Sequence, residues 1–351
     1  MAKEITLGIL YSGQLETQLV KSAKKIGGIK TIILTDDQNG PAQHFCDKFI
    51  CGDLKSKKVL EKFISEIDIC TYAFENLSYD ILKEIADIKE VNPSPKTLKI
   101  AQNRILEKTF ANEEAGVKTT EWKVIKSLED LKDGINLFGK SILKSVSGGY
   151  DGKQQHRFNS INDIDPNIDF SKIYILEKFL NFKQEISVAV TRYKNGKISI
   201  YEPTENVHEN GILRHSKIPA NITKKIFKEA QDIAIKFAEK LDYVGTLNLE
   251  FMIDNKDNLF FNEKSNRVHN GNWHTVNSYK ICQFTNHIRA VCGLEFIENK
   301  KISNAEMLNI LGEEIKEFRK KEYRENEYFF DYLKSDIRPN RKMGHLTILK
   351  D

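Results

Sequence analysis

The sequence predicts an α/β and α+β multidomain chain with a Rossmann-like domain first. Three observations carry that expectation. The 351 residues are two to three times a usual domain of roughly 100–150. Over the first hundred residues, apolar runs of strand length alternate with amphipathic helical stretches, which is the grammar of βαβ units. After Val91-Asn-Pro-Ser-Pro95, two prolines end that unit and paired extended runs with short turns take over.

Ile5–Leu10 is a continuous apolar run, as a parallel strand buried on both faces requires. It breaks at Tyr11-Ser-Gly13, and a helix follows with Leu15, Leu19, Val20 and Ala23 on one face. Thr31–Leu34 is the next strand, Pro41 opens a short helix, and Ile69–Tyr72 is a further strand closed by Phe74-Glu75-Asn76. Leu98–Glu114 reads as one helix, followed by a strand at Trp122–Ile125, a helix over Leu128–Phe138 and a strand at Ile142–Lys144. Antiparallel strands run from Tyr174 to Ile200, with Asn195-Gly196 as a two-residue hairpin turn between Val188–Tyr193 and Lys197–Tyr201. A long amphipathic helix at Ile222–Leu241 precedes a hairpin of Val244–Ile253 with Leu259–Glu263. Thr275–Cys292 reads as helix, and the C-terminal stretch is mixed.

Lys+Arg 54 against Asp+Glu 50 leaves +4, with the charges interspersed. That balance argues against nucleic acid or an anionic membrane as partner. No apolar run approaches the ~18–20 residues of a membrane span, and the start enters a strand-like run without a signal-peptide core. Five cysteines form no CxxC pair, so neither a disulfide framework nor a zinc knuckle is expected, and a reducing cytoplasm is.

Five segments hold residues suited to chemistry. The Gly13 turn stands at the carboxyl end of the first strand, where open α/β sheets place ligands. It is not GxGxxG, and Gln14 offers its amide from the helix start. Ser145-Val-Ser-Gly-Gly-Tyr-Asp-Gly-Lys153 is a glycine- and hydroxyl-rich loop whose backbone can approach phosphate closely; a plain hairpin turn at Asp151-Gly152 is the alternative. Lys144 ends the strand before it. In Thr246-Leu-Asn-Leu-Glu-Phe-Met252 the alternation sends Leu247, Leu249 and Phe251 to one face and Asn248 and Glu250 to the other. A turn near 255–258 then sets Glu250 opposite or nearly opposite Glu263. Like charges so placed cost up to ~1 kcal/mol unless compensated. A divalent cation taken by both carboxylates and Asn262 would compensate them; two solvated glutamates are the alternative. Arg267 and His269, two apart in Asn262–Trp273, point the same way on an extended segment and suit an anion. Arg338-Pro-Asn-Arg-Lys-Met-Gly-His345 is a basic stretch near the C-terminus.

The order of these segments resembles the 5-(carboxyamino)imidazole ribonucleotide synthases, ATP-grasp enzymes of purine biosynthesis. Gly13-Gln-Leu15, Thr71–Asn76, Ala101-Gln-Asn-Arg104, Gly149-Tyr-Asp-Gly-Lys153, Glu177-Lys-Phe-Leu180, Glu205-Asn-Val-His208, Asn262-Glu263, Arg267-Val-His-Asn270 and Arg341-Lys-Met-Gly-His345 occur in series. The resemblance spans about residues 5–348. It implies a Rossmann-like domain over 1–97, an ATP-grasp fold over 98–293 and a small C-terminal domain over 294–351, in a cytoplasmic homodimer. It also implies ATP-dependent carboxylation of aminoimidazole ribonucleotide with bicarbonate, through carboxyphosphate and with Mg2+. The implied ATP site is Arg104, Lys144, the loop Gly149, Tyr150, Asp151, Gly152, Lys153, Gln154 and Gln155, the hinge Glu177, Lys178, Phe179 and Leu180, Glu185 on the ribose, His208, Asn262 and Glu263. Glu250, Glu263 and Asn262 are the implied metal ligands. The ribonucleotide site would use Gln14, Glu75, Asp151, Lys153, Arg267, His269, Lys334 and Arg341, with Asp151, Lys153 and Arg267 at the reacting centre. Tyr11, Ser12 and Glu16 stand where the family carries glycine, Gln154 replaces a loop glycine, and Ser265-Asn266 replaces Ala-Pro. A formate-using glycinamide ribonucleotide transformylase would share fold and metal site, but Gln14, Glu75, Arg267 and His269 favour the aminoimidazole reading. A non-catalytic nucleotide-binding protein could dispense with Glu250 and Glu263.

Overall fold

The computed structural model describes residues 4–148 and 155–351. Its first layer is an all-parallel five-stranded sheet in the order β3-β2-β1-β4-β5. The strands are β1 (Ile5–Leu10), β2 (Ile29–Thr35), β3 (Lys48–Cys51), β4 (Ile69–Tyr72) and β5 (Glu90–Val91). Crossovers pass through α1 (Gln14–Ile26), α2 (Lys57–Glu66) and α3 (Tyr79–Ala86). Leu15, Leu19, Val20 and Ala23 are all buried, as their spacing predicts. Gly8 has a packing reason, since a Cβ there would lie 2.5 Å from the Phe63 ring.

The helix expected over Leu98–Glu114 is broken. Instead, α4 (Pro95–Ala101) gives way to α5 (Arg104–Thr109), and a single π-helical turn occupies Phe110–Glu114. Asn103 causes the break: its side chain accepts from the N–H groups of Ile105 and Leu106, 3.0 and 3.1 Å away. A short polar side chain competes in this way with helix continuation.

A four-stranded antiparallel sheet follows in the order β6-β9-β7-β8. It comprises β6 (Trp122–Ile125), β7 (Ser141–Ser145), β8 (Gln155–Phe158) and β9 (Tyr174–Lys178), with α6 (Leu128–Phe138) burying Leu131, Ile135 and Phe138.

The largest sheet has nine strands. They are β10 (Phe182–Arg192), β11 (Ile198–Ile200), β12 (Thr204–Glu209), β13 (Ile212–Ile218), β14 (Gly245–Asp254), β15 (Leu259–Ser265), β16 (Asn304–Leu311), β17 (Glu327–Asp331) and β18 (Lys342–Lys350). Their order is β15-β14-β10-β12-β13-β16-β18-β17, with β11 paired to β10. The β13–β16 pairing adds the C-terminal strands to this same sheet. The β10–β11 turn is one residue longer than expected. Tyr193 N–H bonds Lys197 C=O, leaving Lys194, Asn195 and Gly196 in the loop, with Gly196 at φ +82°. A three-residue loop ending in a left-handed glycine suits the strand twist.

Between β13 and β14, α7 (Lys224–Lys240) lays Ile226, Ala230, Ala234, Phe237 and Ala238 into the core. The helix expected over Thr275–Cys292 is divided into α8 (Thr275–Ser278) and α9 (Gln283–Val291). Tyr279 adopts an extended backbone between them, and its ring packs edge-on against Tyr201 at 4.9 Å. From α9, His287 joins two sheets: its Nε2 meets Thr71 Oγ1 of β4 at 2.8 Å, and Nδ1 accepts from Thr246 N–H of β14 at 3.0 Å. Among the described residues, no helix is long and apolar enough to cross a membrane.

Candidate active site

The β14–β15 hairpin supplies the floor of the site. Its register sets Glu250 directly opposite Glu263. The register slips between Glu250 and Phe251, which makes Asn262 an extra residue on β15. That bulge removes the alternation that would otherwise send Asn262 and Glu263 to opposite faces. Burial opposes ionisation of Glu250, but His269, with Nε2 3.0 Å from Oε1, together with His208 and Arg267, overcomes it and holds the carboxyl at about 2. Glu263 goes the other way. Solvent reaches it, yet protein crowds it on most sides, and crowding and then the Glu250 charge raise its pKa, opposed by Arg104 and Lys144. Two opposed carboxylates, one short of positive charge, with an amide beside them fit a divalent cation. The described residues assemble no group of three His, Cys, Asp or Glu side chains for a metal. A cation held here would therefore take further ligands from phosphates and water, as magnesium does.

On one side of this floor lies a basic wall. Lys144 Nζ of β7 is 3.1 Å from Glu177 Oε1, and Lys108 Nζ of α5 is 3.4 Å from Glu177 Oε2. Glu177 is buried, which pushes its pKa up, but the two lysines prevail and bring it to about 2. Its carboxylate is thus engaged by both lysines. The next residues lead out of β9: Lys178 pairs with Glu121 at 2.5 Å, and Phe179 N–H bonds Lys140 C=O, with Leu180 half-buried beyond. Arg104 opens α5, and its N–H bonds Val146 C=O at the end of β7. Gln155 opens β8 opposite Lys144. The expected loop residues Gly149, Tyr150, Asp151, Gly152, Lys153 and Gln154 lie outside the described residues. In the nine-stranded sheet, Glu185 Oε2 of β10 meets His208 Nδ1 of β12 at 2.5 Å; burial works against the imidazolium, but this contact raises the His208 pKa.

On the other side of the floor, Glu75 faces Arg267 at 3.4 Å and accepts the Asn266 N–H. Gln14 begins α1. Lys334 donates to Lys342 C=O at 2.7 Å, and Arg341 to Asp336 C=O at 2.7 Å. Burial, followed by the charges of Arg341 and Lys342, brings Lys334 down to about 7. Glu16 is the surprise of this wall. It is buried, accepts the Gly13 N–H at 2.9 Å, and feels both Arg267 and Lys334. Sequence reasoning noted Glu16 only as a departure from glycine. Its position three residues into the helix after Gly13 is the capping-box spacing that could have flagged it. Lys108 was also missed, because a lysine in an amphipathic helix reads as solvated.

A strand-loop-strand wall carrying a lysine, set against opposed glutamates on a hairpin, defines an ATP-grasp enzyme. The ATP-grasp domain model matches residues 110–284. A ribonucleotide synthetase preATP-grasp domain matches 4–102, and a phosphoribosylaminoimidazole carboxylase C-terminal domain matches 305–351. An N5-carboxyaminoimidazole ribonucleotide synthase of Brucella melitensis is 35% identical over 350 residues, covering 98% of this chain and 96% of that protein. The Bacillus subtilis protein of the same name is 33% identical, covering 100% of this chain and 94% of its own length. A solved N5-carboxyaminoimidazole synthetase of Staphylococcus aureus complexed with ADP superposes with a TM-score of 0.92 at 30% identity, covering 100% of this chain and 94% of that one. This chain belongs to the N5-carboxyaminoimidazole ribonucleotide synthase family.

Proposed function

We propose that this chain uses ATP to join bicarbonate to the exocyclic amine of 5-aminoimidazole ribonucleotide. The products are N5-carboxyaminoimidazole ribonucleotide, ADP and phosphate. The observation supporting this most directly is one carboxylate floor shared by two cationic walls. Glu250, with His269 and Arg267, borders the wall of Lys334. Across the hairpin, Glu263 borders Arg104 and Lys144. Two anions brought to one charged floor can react while the floor stays fixed, which is what phosphoryl transfer asks of a protein.

On this reading a bicarbonate oxygen attacks the γ-phosphorus and ADP leaves, giving carboxyphosphate. Its breakdown frees phosphate and delivers carbon dioxide to the amine. Lys144, Arg104 and the loop Gly149–Gln155 hold the nucleotide phosphates, and Glu177–Leu180 line the adenine with Glu177 fixing Lys144. Glu185 and His208 take the ribose. Glu250, Glu263 and Asn262 would ligate Mg2+, which neutralises phosphate charge as it develops. Gln14, Glu75 and His269 hold the aminoimidazole ribonucleotide, Lys334 and Arg341 its 5′-phosphate, and Asp151, Lys153 and Arg267 act at the reacting centre. Residues 1–97, 98–293 and 294–351 are the corresponding domains. The test is coupled ADP release with bicarbonate, with and without aminoimidazole ribonucleotide. Release that depends on both is expected; release indifferent to the ribonucleotide would refute the substrate assignment.

A further inference from the structure

Glu107 and Lys108 are adjacent residues of α5, 4% and 2% exposed, and neither was singled out by its sequence context. Both reach β15, the edge strand of the nine-stranded sheet. Lys108 Nζ donates to Asn262 C=O at 3.1 Å, and Glu107 Oε1 accepts from Lys264 N–H at 3.0 Å. These are the two peptide groups that flank Glu263. Earlier on the same strand, Phe261 N–H is taken by Lys118 C=O, so this edge is also bonded just before the bulge. Lys108 also stands 3.4 Å from Glu177, whose other oxygen is 3.1 Å from Lys144. One connected path therefore runs from the backbone beside Glu263, through Lys108 and Glu177, to the lysine of the phosphate wall. The path crosses from the nine-stranded to the four-stranded sheet.

We infer that Glu107 and Lys108 are positioning residues, which orient Glu263 by its own backbone and hold it in register with Lys144. Two buried charges are a costly way to pack a short helix, and apolar side chains would do that as well. What apolar side chains could not do is bond one C=O and one N–H on either side of a single carboxylate. Groups that orient a metal's ligands from behind are worth ~10–100-fold in metal affinity.

The inference rests on Glu250 and Glu263 being the Mg2+ site, so the experiment must separate the two. The probe is Mn2+, titrated into the full chain in the presence of ADP and followed by loss of the free-ion electron paramagnetic resonance signal. Lys108→Met should weaken Mn2+ binding ~10–100-fold, while the KM for aminoimidazole ribonucleotide stays within about twofold. Lys108→Arg should recover part of the loss, because a donor returns. Unchanged Mn2+ affinity in Lys108→Met, with Glu263→Gln weakened, overturns the inference and leaves the metal reading intact. Unchanged affinity in Glu263→Gln overturns both. If Lys108→Met does not fold, by circular dichroism, the decision passes to Glu107. Glu107→Gln keeps an acceptor for Lys264 N–H and should bind Mn2+ about tenfold better than Glu107→Ala; equal affinities in that pair overturn the inference.

Discussion

Lys334→Ala tests the ribonucleotide wall through a pH signature that a solvated tail would lack. Lys334 sits at about 7, brought down by burial first and then by Arg341 and Lys342. From an ordinary 10.5, that displacement is roughly 5 kcal/mol against the protonated form. The sign follows. Between about pH 7 and 10.5 the unfolded chain binds the proton and the folded one does not, so stability of the unliganded protein rises with pH across that window. A phosphate dianion beside Nζ reverses the balance, since the ammonium then has a partner. The kcat/KM for aminoimidazole ribonucleotide should therefore fall as pH rises through about 7, approaching tenfold per pH unit above it. Alanine removes a charge-assisted contact of ~1.5–3 kcal/mol, which is roughly 10- to 150-fold in KM for the ribonucleotide, and flattens the profile. The KM for ATP should barely move. Steady-state kinetics above pH ~6.5, where the substrate phosphate is already largely dianionic, reads all three quantities. A flat wild-type profile, or an Ala variant with an unchanged ribonucleotide KM, would refute the assignment.

Arg341→Ala should raise the ribonucleotide KM and also move the pH limb upward, because one of the charges depressing Lys334 is gone; a limb that stays in place means the two side chains do not share the phosphate. Glu263→Gln should cost at least ~100-fold in ADP release, and near-normal turnover by a folded variant would remove it from the metal site. Glu177→Gln leaves Lys108 and Lys144 facing a neutral amide, so a loss of ~3–5 kcal/mol should appear as a lower Tm together with weaker ADP binding by calorimetry; a Tm within error of wild type would mean the lysines need no counter-charge. Burial holds His274, His287 and His345 each at about 3. As pH falls below about 6.5 the unfolded chain gains three protons that the folded one refuses, at roughly 4 kcal/mol per pH unit. Circular dichroism should therefore show acid unfolding well above pH 3, and an unchanged Tm between pH 7 and 5 would contradict it.

The parts of the fold legible in the sequence are those where one period dominates. Ile5–Leu10 and Leu128–Phe138 have the bounds their apolar spacing predicts. Alternation brings Glu250 to the Asn262–Glu263 end of β15, but the direct opposition to Glu263 comes from the bulge at Asn262, which the apolar pattern does not mark. Where a local hydrogen bond competes with the period, the expectation failed. Asn103 stops a helix that the apolar spacing would continue, and Tyr279 leaves its helix to reach Tyr201. Elements with little apolar content were not found: β3 has one buried residue, Ile50, and α2 buries only Leu60, Phe63 and Ile64 among its lysines and glutamates.

The charged members of the site divide along the same physical line. Glu250, Glu263, Arg267 and His269 sit on one hairpin and the loop that follows it, so sequence distance is a fair guide to their spatial distance. Lys108 and Glu107 belong to a helix that meets β15 and β9 only once the chain has packed, and a charged side chain carries no periodic mark of the partner that will bury it. Glu177 illustrates this: its two oxygens meet Lys108 of α5 and Lys144 of β7, residues far from it in sequence. A buried carboxylate between two lysines would be unstable if α5 moved independently of β7 and β9, because a displaced lysine leaves an uncompensated charge. The same network that escapes sequence reasoning therefore resists motion of the Glu250–Glu263 hairpin relative to the strand that carries Lys144, and in-line phosphoryl transfer, the proposed chemistry, tolerates little such motion.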